Sequence, residues 1–283
     1  MSVRIIPRLD IKGPNLVKGI HLEGLRVLGK PEHFARHYYE NGADELLYMD
    51  AVASLYGRNS LLDIVERTAR EIFIPLAVGG GLRSVDDIRA VLRAGADKVA
   101  INTAAINRPE LISEASRRFG SSTIVVAIDA IRKPDGTYEA YTDYGREQTG
   151  VDALDWAVRA VGLGAGELLV TSIDNEGTGS GFDLELTRKI AESVPVPVIA
   201  CGGAGTVDHV YRVIVEGKAD AVSLASTLHY NFIKHNRYRD EDFAAEGNIR
   251  FLSKGNGFSK IQEAPISSVK EHLIHRAVEC RVP

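Results

Sequence analysis

Val78-Gly79-Gly80-Gly81-Leu82-Arg83-Ser84 and Ala200-Cys201-Gly202-Gly203-Ala204-Gly205-Thr206 stand at matching places in the two halves of the chain, each directly after a short apolar run led by proline. A glycine turn between a strand and a helix lets backbone N–H groups approach an anion closely, and the helix N-terminus beyond it adds the positive end of its dipole. About 20 residues after each turn a second strand ends in small hydroxyl or amide residues, Ile101-Asn102-Thr103-Ala104 in the first half and Leu224-Ala225-Ser226-Thr227 in the second. The pairing predicts two anion cradles, each shared between adjacent loops, in one protein that holds two phosphates.

Outward from these turns, short β-branched runs alternate with amphipathic helical stretches eight times, a pattern that demands a parallel sheet with helices outside it. Strands are predicted near Arg4 to Asp10, Glu45 to Asp50, Ile74 to Val78, Lys98 to Ile101, Thr123 to Asp129, Glu167 to Ser172, Val196 to Ala200 and Ala219 to Leu224. Helical segments fall at Pro31 to Asn41, Asn59 to Glu71, Ser84 to Ala94, Pro109 to Phe119, Val151 to Leu163, Asp183 to Ser193 and Thr206 to Glu216, several opened by Ser, Asp, Asn or Pro and closed by Gly. Eight such units close into an α/β (β/α)8 TIM barrel, a fold that commonly needs about 250 residues. The 283 residues are therefore read as a single barrel domain, 1–283. An open doubly wound sheet would place its phosphate fingerprint after the first strand, whereas the glycine turns here follow the third and seventh. The first strand is followed instead by a segment read as a long loop, Lys12 to Lys30. In a barrel all loops after strands share one face, where chemistry is assembled.

Composition narrows the class further. Charged residues make up 25% and the formal net charge is −4, so no basic excess points to nucleic acid or to an anionic membrane surface. The two cysteines, Cys201 and Cys280, give neither a disulfide framework nor a metal spacing, and they suit a reducing cytoplasm. No signal-peptide pattern and no run of about 18 apolar residues occurs, so a soluble, unprocessed protein away from membranes is expected. The eight histidines are scattered without paired spacing, and no metal or organic cofactor is expected.

The halves also read as copies of each other. Asp10 ends the first strand and Asp129 the fifth, at nearly the offset that relates Gly80 to Gly202. A half-barrel repeat sets the two carboxylates across the mouth from one another, with a phosphate site on each flank. A substrate carrying a phosphate at both ends would span that mouth with its middle between Asp10 and Asp129. A lone carboxylate at a strand end can merely cap the next turn, and a lone glycine turn can serve packing alone; their symmetric pairing favours function. Ring closure and bond cleavage on a sugar-phosphate chain need proton donors and acceptors on both faces, each worth about 10² to 10⁴ in rate. One aspartate kept protonated beside one ionised would supply them.

The segments Arg4-Ile5-Ile6-Pro7, Leu9-Asp10, Val17-Lys18-Gly19, Gly42-Ala43-Asp44-Glu45, Val78 to Ser84, Ala94-Gly95-Ala96-Asp97-Lys98, Val126-Ala127-Ile128-Asp129-Ala130, Gly164-Ala165-Gly166-Glu167, Thr171-Ser172-Ile173-Asp174 and Gly202-Gly203-Ala204-Gly205 resemble, in order, the cyclase subunits of imidazole glycerol phosphate synthase. The resemblance runs from the start to about His229 and resumes in the last helix. It implies a barrel that takes ammonia from a partner glutaminase and an open-chain bis-phosphate aminoimidazole carboxamide ribonucleotide, releasing imidazole glycerol phosphate and the carboxamide ribonucleotide. The resemblance puts the catalytic pair on Asp10 and Asp129, as general acid and general base, and gives Lys18 of the first loop the task of holding substrate. Phosphate contacts carry over to Gly81, Asn102 and Thr103 at one end and to Gly203, Gly205 and Ser226 at the other, beside Gly80 and Gly202. Asp50, Asp174 and Thr171 complete the polar mouth. On the opposite, N-terminal face, Arg4, Glu45, Lys98 and Glu167 match the charged ring that admits ammonia, where the glutaminase is expected to dock. Such a ring can also serve only as a salt-bridge closure of the barrel bottom.

The chain departs from the family at several places. Strand alternation puts Arg8 inside the barrel one layer below Asp10, where the family usually has cysteine, so it must meet a carboxylate, either Asp10 or an acid of a neighbouring strand. Such a pairing would weaken that acid as a proton donor. The sixth loop reads Asp174-Asn175-Glu176-Gly177, with glutamate where aspartate is usual, and Cys201 replaces a common serine. An insertion of roughly 30 residues, about 230–264, follows the eighth strand on the catalytic face; polar and turn-rich, it reads as a lid, a partner-binding loop or a solvated surface loop. His235 within it is read as exposed rather than as a metal ligand. Two rival functions follow from these departures: a paralogue supplying nitrogen for amidine formation on a bacterial surface sugar, and a non-catalytic ammonia conduit that activates the glutaminase.

Overall fold

Side-chain alternation along the first strand sets the architecture. In β1 (Arg4–Lys12) Ile5, Leu9 and Ile11 face outward into the layer beneath the helices, while Ile6 faces a second apolar cluster inside the barrel, in step with Arg4, Arg8 and Asp10. The computed structural model describes residues 2–53, 61–235 and 260–282. β2 (Asn15–Ile20) and β3 (Glu23–Gly29) follow, then β4 (Leu46–Asp50), β5 (Leu76–Gly79), β6 (Lys98–Ile101), β7 (Ile124–Arg132), β8 (Tyr138–Thr142), β9 (Glu147–Asp152), β10 (Glu167–Ser172), β11 (Val198–Cys201) and β12 (Ala221–Leu224). Eight of these, β1, β4, β5, β6, β7, β10, β11 and β12, pair in parallel in that order, and β12 returns to β1, closing the barrel.

The helices are α1 (Pro31–Glu40), α2 (Leu62–Ala69), α3 (Val85–Arg93), α4 (Thr103–Asn107), α5 (Glu110–Phe119), α6 (Ala153–Gly162), α7 (Leu184–Ser193), α8 (Val207–Val215), α9 (Ser226–His235) and α10 (Ile266–His275). Their apolar stripes cover the outward faces of the strands, as Phe34 and Tyr38 of α1 and Ile88 and Val91 of α3 do. Among the described residues no helix is long and apolar enough to cross a membrane.

Three aspartates stitch the lower rim. Asp44, Asp97 and Asp220, each just before a strand, accept the backbone N–H of Ile5 (2.8 Å), Leu76 (2.9 Å) and Val198 (2.9 Å) on the neighbouring strand. Asp44 also takes the buried Lys270 ammonium at 2.9 Å, which pins α10 to the barrel.

Four departures from the sequence reading have physical causes. The stretch from Lys12 to Lys30 is the β2–β3 hairpin, paired antiparallel onto the end of β1 through Asp10 and Val17, rather than a loop. A second hairpin, β8–β9, extends β7. β5 and β11 begin after Pro75 and Pro197, since proline has no N–H for the ladder, though both prolines still lend their carbonyls to Leu46 and Leu168. The inserted segment opens as helix, not loop: Tyr230, Phe232 and Ile233 of α9 are buried against the barrel. Most of the insertion, 236–259, lies outside the described residues, while its end packs back on the catalytic face, with Gln262 N–H donating to the Gly205 carbonyl at 2.7 Å.

Candidate active site

The two glycine turns are built alike. Gly80 and Gly81 have φ of 97° and 70°, and Gly202 and Gly203 have 91° and 107°, values that L side chains rarely adopt. A Cβ on Gly80 would lie 2.5 Å from the Asp50 carbonyl, and one on Gly202 would lie 2.7 Å from that of Ser172. Glycine is required on both counts. Each turn leads into a capped helix: Ser84 and Asp87 form a reciprocal capping box at α3, and the Thr206 hydroxyl accepts from His209 N–H at α8. Asn102 and Thr103 open α4 beside the first turn, and Ser226 opens α9 beside the second.

The first cradle joins the mouth. Gly80, Gly81, Asn102, Thr103, Asp50 and Asp129 line one cavity of about 270 Å³, which Arg83, Arg108 and Tyr144 also reach. The second cradle is more tightly packed: the Gly203 carbonyl accepts from Gly181 N–H at 2.8 Å, and Gly205 N–H donates to His209 Nδ1 at 3.1 Å. Asp174 lies apart from the mouth. It is exposed, accepts the Arg132 N–H at 2.8 Å and borders an outer cleft with Lys133 and Asn175, because the loop after β10 turns Glu176 inward in its place.

At the floor of the mouth every charge has a partner. Arg8, 2% exposed, donates through Nε to Asp10 at 2.8 Å and through Nη1 to Thr171 at 3.3 Å and the Cys201 thiol at 3.4 Å. Burial is the largest single influence and opposes its charge, but Asp10, Cys201, Tyr144 and Glu176 together outweigh it and hold the guanidinium well above its ordinary range. Asp129 accepts from Asn102 Nδ2 at 2.9 Å and from the Thr171 hydroxyl. Burial raises its pKa above the usual carboxylate range even though Arg8, Thr171 and Asn102 pull it down.

Lys18 is folded under the first hairpin and paired with Glu176. Burial works against its ammonium, but Glu176, with Asp10 beyond it, raises its pKa above normal. The hairpin is fastened over the mouth by His21, whose N–H donates to the Glu176 carbonyl at 2.9 Å and whose ring is 2.8 Å from the Ile173 carbonyl. Lys18 is thus held by protein in this state, whereas the sequence reading gave it to substrate.

Tyr144 went unnoticed in the sequence. It sits with Asp143 in the four-residue loop 143–146 at the tip of the β8–β9 hairpin, with φ 59° and 51°, followed by Gly145 at 78°, and the loop is closed by Arg146 N–H donating to the Thr142 carbonyl at 3.0 Å. That turn carries the phenol to Asp10, and its ring centroid lies 5.9 Å from the Arg8 guanidinium carbon. The signal was present as Asp143-Tyr144-Gly145 between two alternating runs.

At the opposite end Arg4, Glu45, Lys98 and Glu167 form a closed ring. Arg4 Nη1 and Lys98 Nζ both donate to Glu45 Oε2, at 2.8 and 2.9 Å; Lys98 reaches Glu167 at 2.9 Å and Arg4 also bonds Glu167. Burial raises the Glu45 pKa despite its two cations. No group of three or more metal-ligating side chains occurs among the described residues.

Comparison with known proteins shows the family. Residues 4–234 match the family described as histidine biosynthesis protein. The protein named imidazole glycerol phosphate synthase subunit HisF of Legionella pneumophila is 60% identical over 207 residues, 73% of this chain and 98% of that one. Subunits of the same name from Trichormus variabilis and Alkaliphilus metalliredigens are 53% identical over 233 residues and 48% over 231, covering 81% and 82% of this chain and 91% and 92% of theirs. The chain belongs to the histidine biosynthesis protein family, among the lyase-type cyclase subunits of imidazole glycerol phosphate synthase.

Proposed function

We propose that this chain binds a bis-phosphorylated aminoimidazole carboxamide ribonucleotide across its mouth, receives ammonia through the barrel from a glutaminase subunit docked on the ring side, and closes the imidazole ring while cleaving the chain. The observation that carries this is the pair of matched glycine turns, Gly80-Gly81 and Gly202-Gly203, flanking a floor with one carboxylate from each half. Asp10, paired with Arg8, serves as proton acceptor. Asp129, whose burial favours its protonated form, serves as donor. This reverses the acid and base roles that the family resemblance suggested, and the reason is the position of Arg8.

Thr171 bridges Arg8 and Asp129 and so orients both. Substrate phosphate would draw Lys18 from Glu176 as the hairpin adjusts over the mouth. The exposed Phe73, 81% accessible beside Asp97 on the ring side, suits a protein partner, and a cytoplasmic location suits the two free buried cysteines. The test is turnover of the bis-phosphate substrate with ammonium as nitrogen source. Efficient turnover that Asp129→Asn abolishes supports the reading, and no turnover by the unmodified protein refutes it.

One observation favours a second reading. Arg8 neutralises Asp10 and Glu176 neutralises Lys18, so two groups assigned to substrate already have protein partners, as suits a barrel that hands its nitrogen to a separate sugar-amidating enzyme. In that case the bis-phosphate is not turned over, while glutamine hydrolysis by the docked partner is still stimulated.

A further inference from the structure

Ser223 faces a part of the barrel that neither the mouth nor the ring uses. Its neighbours in β12, Val222 and Leu224, belong to the outer core, so strand alternation turns the Ser223 side chain into the lumen. It stands in register with Ile6 on β1 and with Cys201 on β11. The residue is 3% exposed, and its hydroxyl has no hydrogen-bond partner among the described residues. The surrounding lumen offers it the apolar atoms of Ile6, Leu47, Leu169, Ile199 and Ala221 and the Cys201 thiol, which already accepts from Arg8. A buried hydroxyl left in that state is costly unless something else fills its hydrogen bonds.

The ends of this space narrow what that could be. Above, Arg8 reaches from β1 to Thr171 on β10 and Cys201 on β11. In the closed strand order β12 and β11 separate β1 from β10, so a guanidinium touching both β1's Asp10 and β10's Thr171 lies across the barrel axis. Below stands the ring of Arg4, Lys98 and their two glutamates. A cation in between would lose its water and face the Arg8 charge at close range, whereas a small neutral amine loses little and both donates to and accepts from a hydroxyl.

We propose that the Ser223 hydroxyl is a holding site for one neutral ammonia molecule in the upper lumen, roofed by Arg8, from which the nitrogen passes into the mouth. This rests on the reading of the barrel as the nitrogen route given above. Ammonium chloride in bulk solution reaches the mouth from the catalytic face, whereas nitrogen made by the glutaminase must pass Ser223.

The test compares those two sources in the intact complex with its glutaminase, using Ser223→Ala and Ser223→Thr. Ser223→Ala is expected to lower glutamine-driven turnover about fivefold, the factor one ordinary hydrogen bond is worth. It should leave ammonium-driven turnover unchanged, and Ser223→Thr, which keeps the hydroxyl, should retain both rates. An unchanged ratio in Ser223→Ala, as a permanently held water would give, overturns the proposal, and so does a parallel fall in both rates, as a packing defect would give. A wild-type complex with ammonium-driven but no glutamine-driven turnover overturns instead the reading of the barrel as a conduit, and this proposal with it.

Discussion

Arg8→Met removes one partner of the buried pair at the floor of the mouth and leaves the other in place. Arg8 and Asp10 have side chains only 2% exposed each, and their contact is a 2.8 Å charge-assisted hydrogen bond. Stranding one member of such a pair costs about 3–5 kcal/mol. At about 2–4 °C of melting temperature per kcal/mol for a chain near this size, the variant should melt roughly 6–20 °C below the wild type. Asp10→Asn should cost a comparable amount, because it leaves the guanidinium without its anion.

The two single variants differ in their response to acid. In Arg8→Met the deficit shrinks as the pH falls, since a protonated Asp10 strands no charge. In Asp10→Asn it persists, because arginine cannot shed its proton. The double variant, with neither charge, should recover most of the loss. Thermal unfolding of all four proteins at pH 5 and pH 8, without ligand, measures each quantity. A melting temperature for Arg8→Met within about 2 °C of wild type at pH 8, or a double variant whose loss is the sum of the singles, would refute the buried-pair argument.

Asp129→Asn should lower turnover by about 10² to 10⁴. It should also gain about 0.5–2 kcal/mol of stability at pH 8 and none at pH 4 by denaturant unfolding. The sign follows from the raised pKa: the folded state holds this proton more tightly than the unfolded chain, so wild-type stability is full at low pH and falls as the pH rises through the folded pKa, whereas asparagine stays neutral throughout. Gly80→Ala forces a Cβ to 2.5 Å from the Asp50 carbonyl at a φ of 97°, so the substrate KM should rise and stability fall by about 1–3 kcal/mol. Phe73→Asp, on the exposed ring-side surface, should weaken glutaminase binding by about tenfold or more in a titration while ammonium-driven turnover is retained.

Much of the fold was legible because its signals are local. Each barrel strand is a short apolar run with a turn residue at its end, and Ser84, Asp183 and Thr206 announce helices by their side-chain caps. Asp10, Asp129 and both glycine turns came from the same local grammar repeated twice. The inward orientation of Arg8 and its need for a carboxylate also followed from alternation and the cost of a buried charge; that the partner is Asp10 rather than an acid of a neighbouring strand came from the structure. What stayed hidden depends on contacts distant in the chain. Lys18 meets Glu176 only because the first hairpin folds over the loop after β10, and Tyr144 reaches Asp10 only because β8 and β9 pair beyond β7. Asp174 and Glu176 could not be told apart by position: both stand near the end of β10, and the turn between them decides which faces the mouth. The helical opening of the insertion was missed because the polar run from Lys234 onward outweighed the apolar spacing of Leu228, Phe232 and Ile233 before it.

The central claim, that one ligand is held by both cradles at once, is tested most directly by a crystal structure with a bis-phosphorylated substrate analogue bound. The account predicts one phosphate at Gly81 and Thr103, the other at Gly203 and Ser226, and the chain between them passing over Asp10 and Asp129. An analogue bound at one cradle only, with its second phosphate in solvent or outside the barrel mouth, would contradict it.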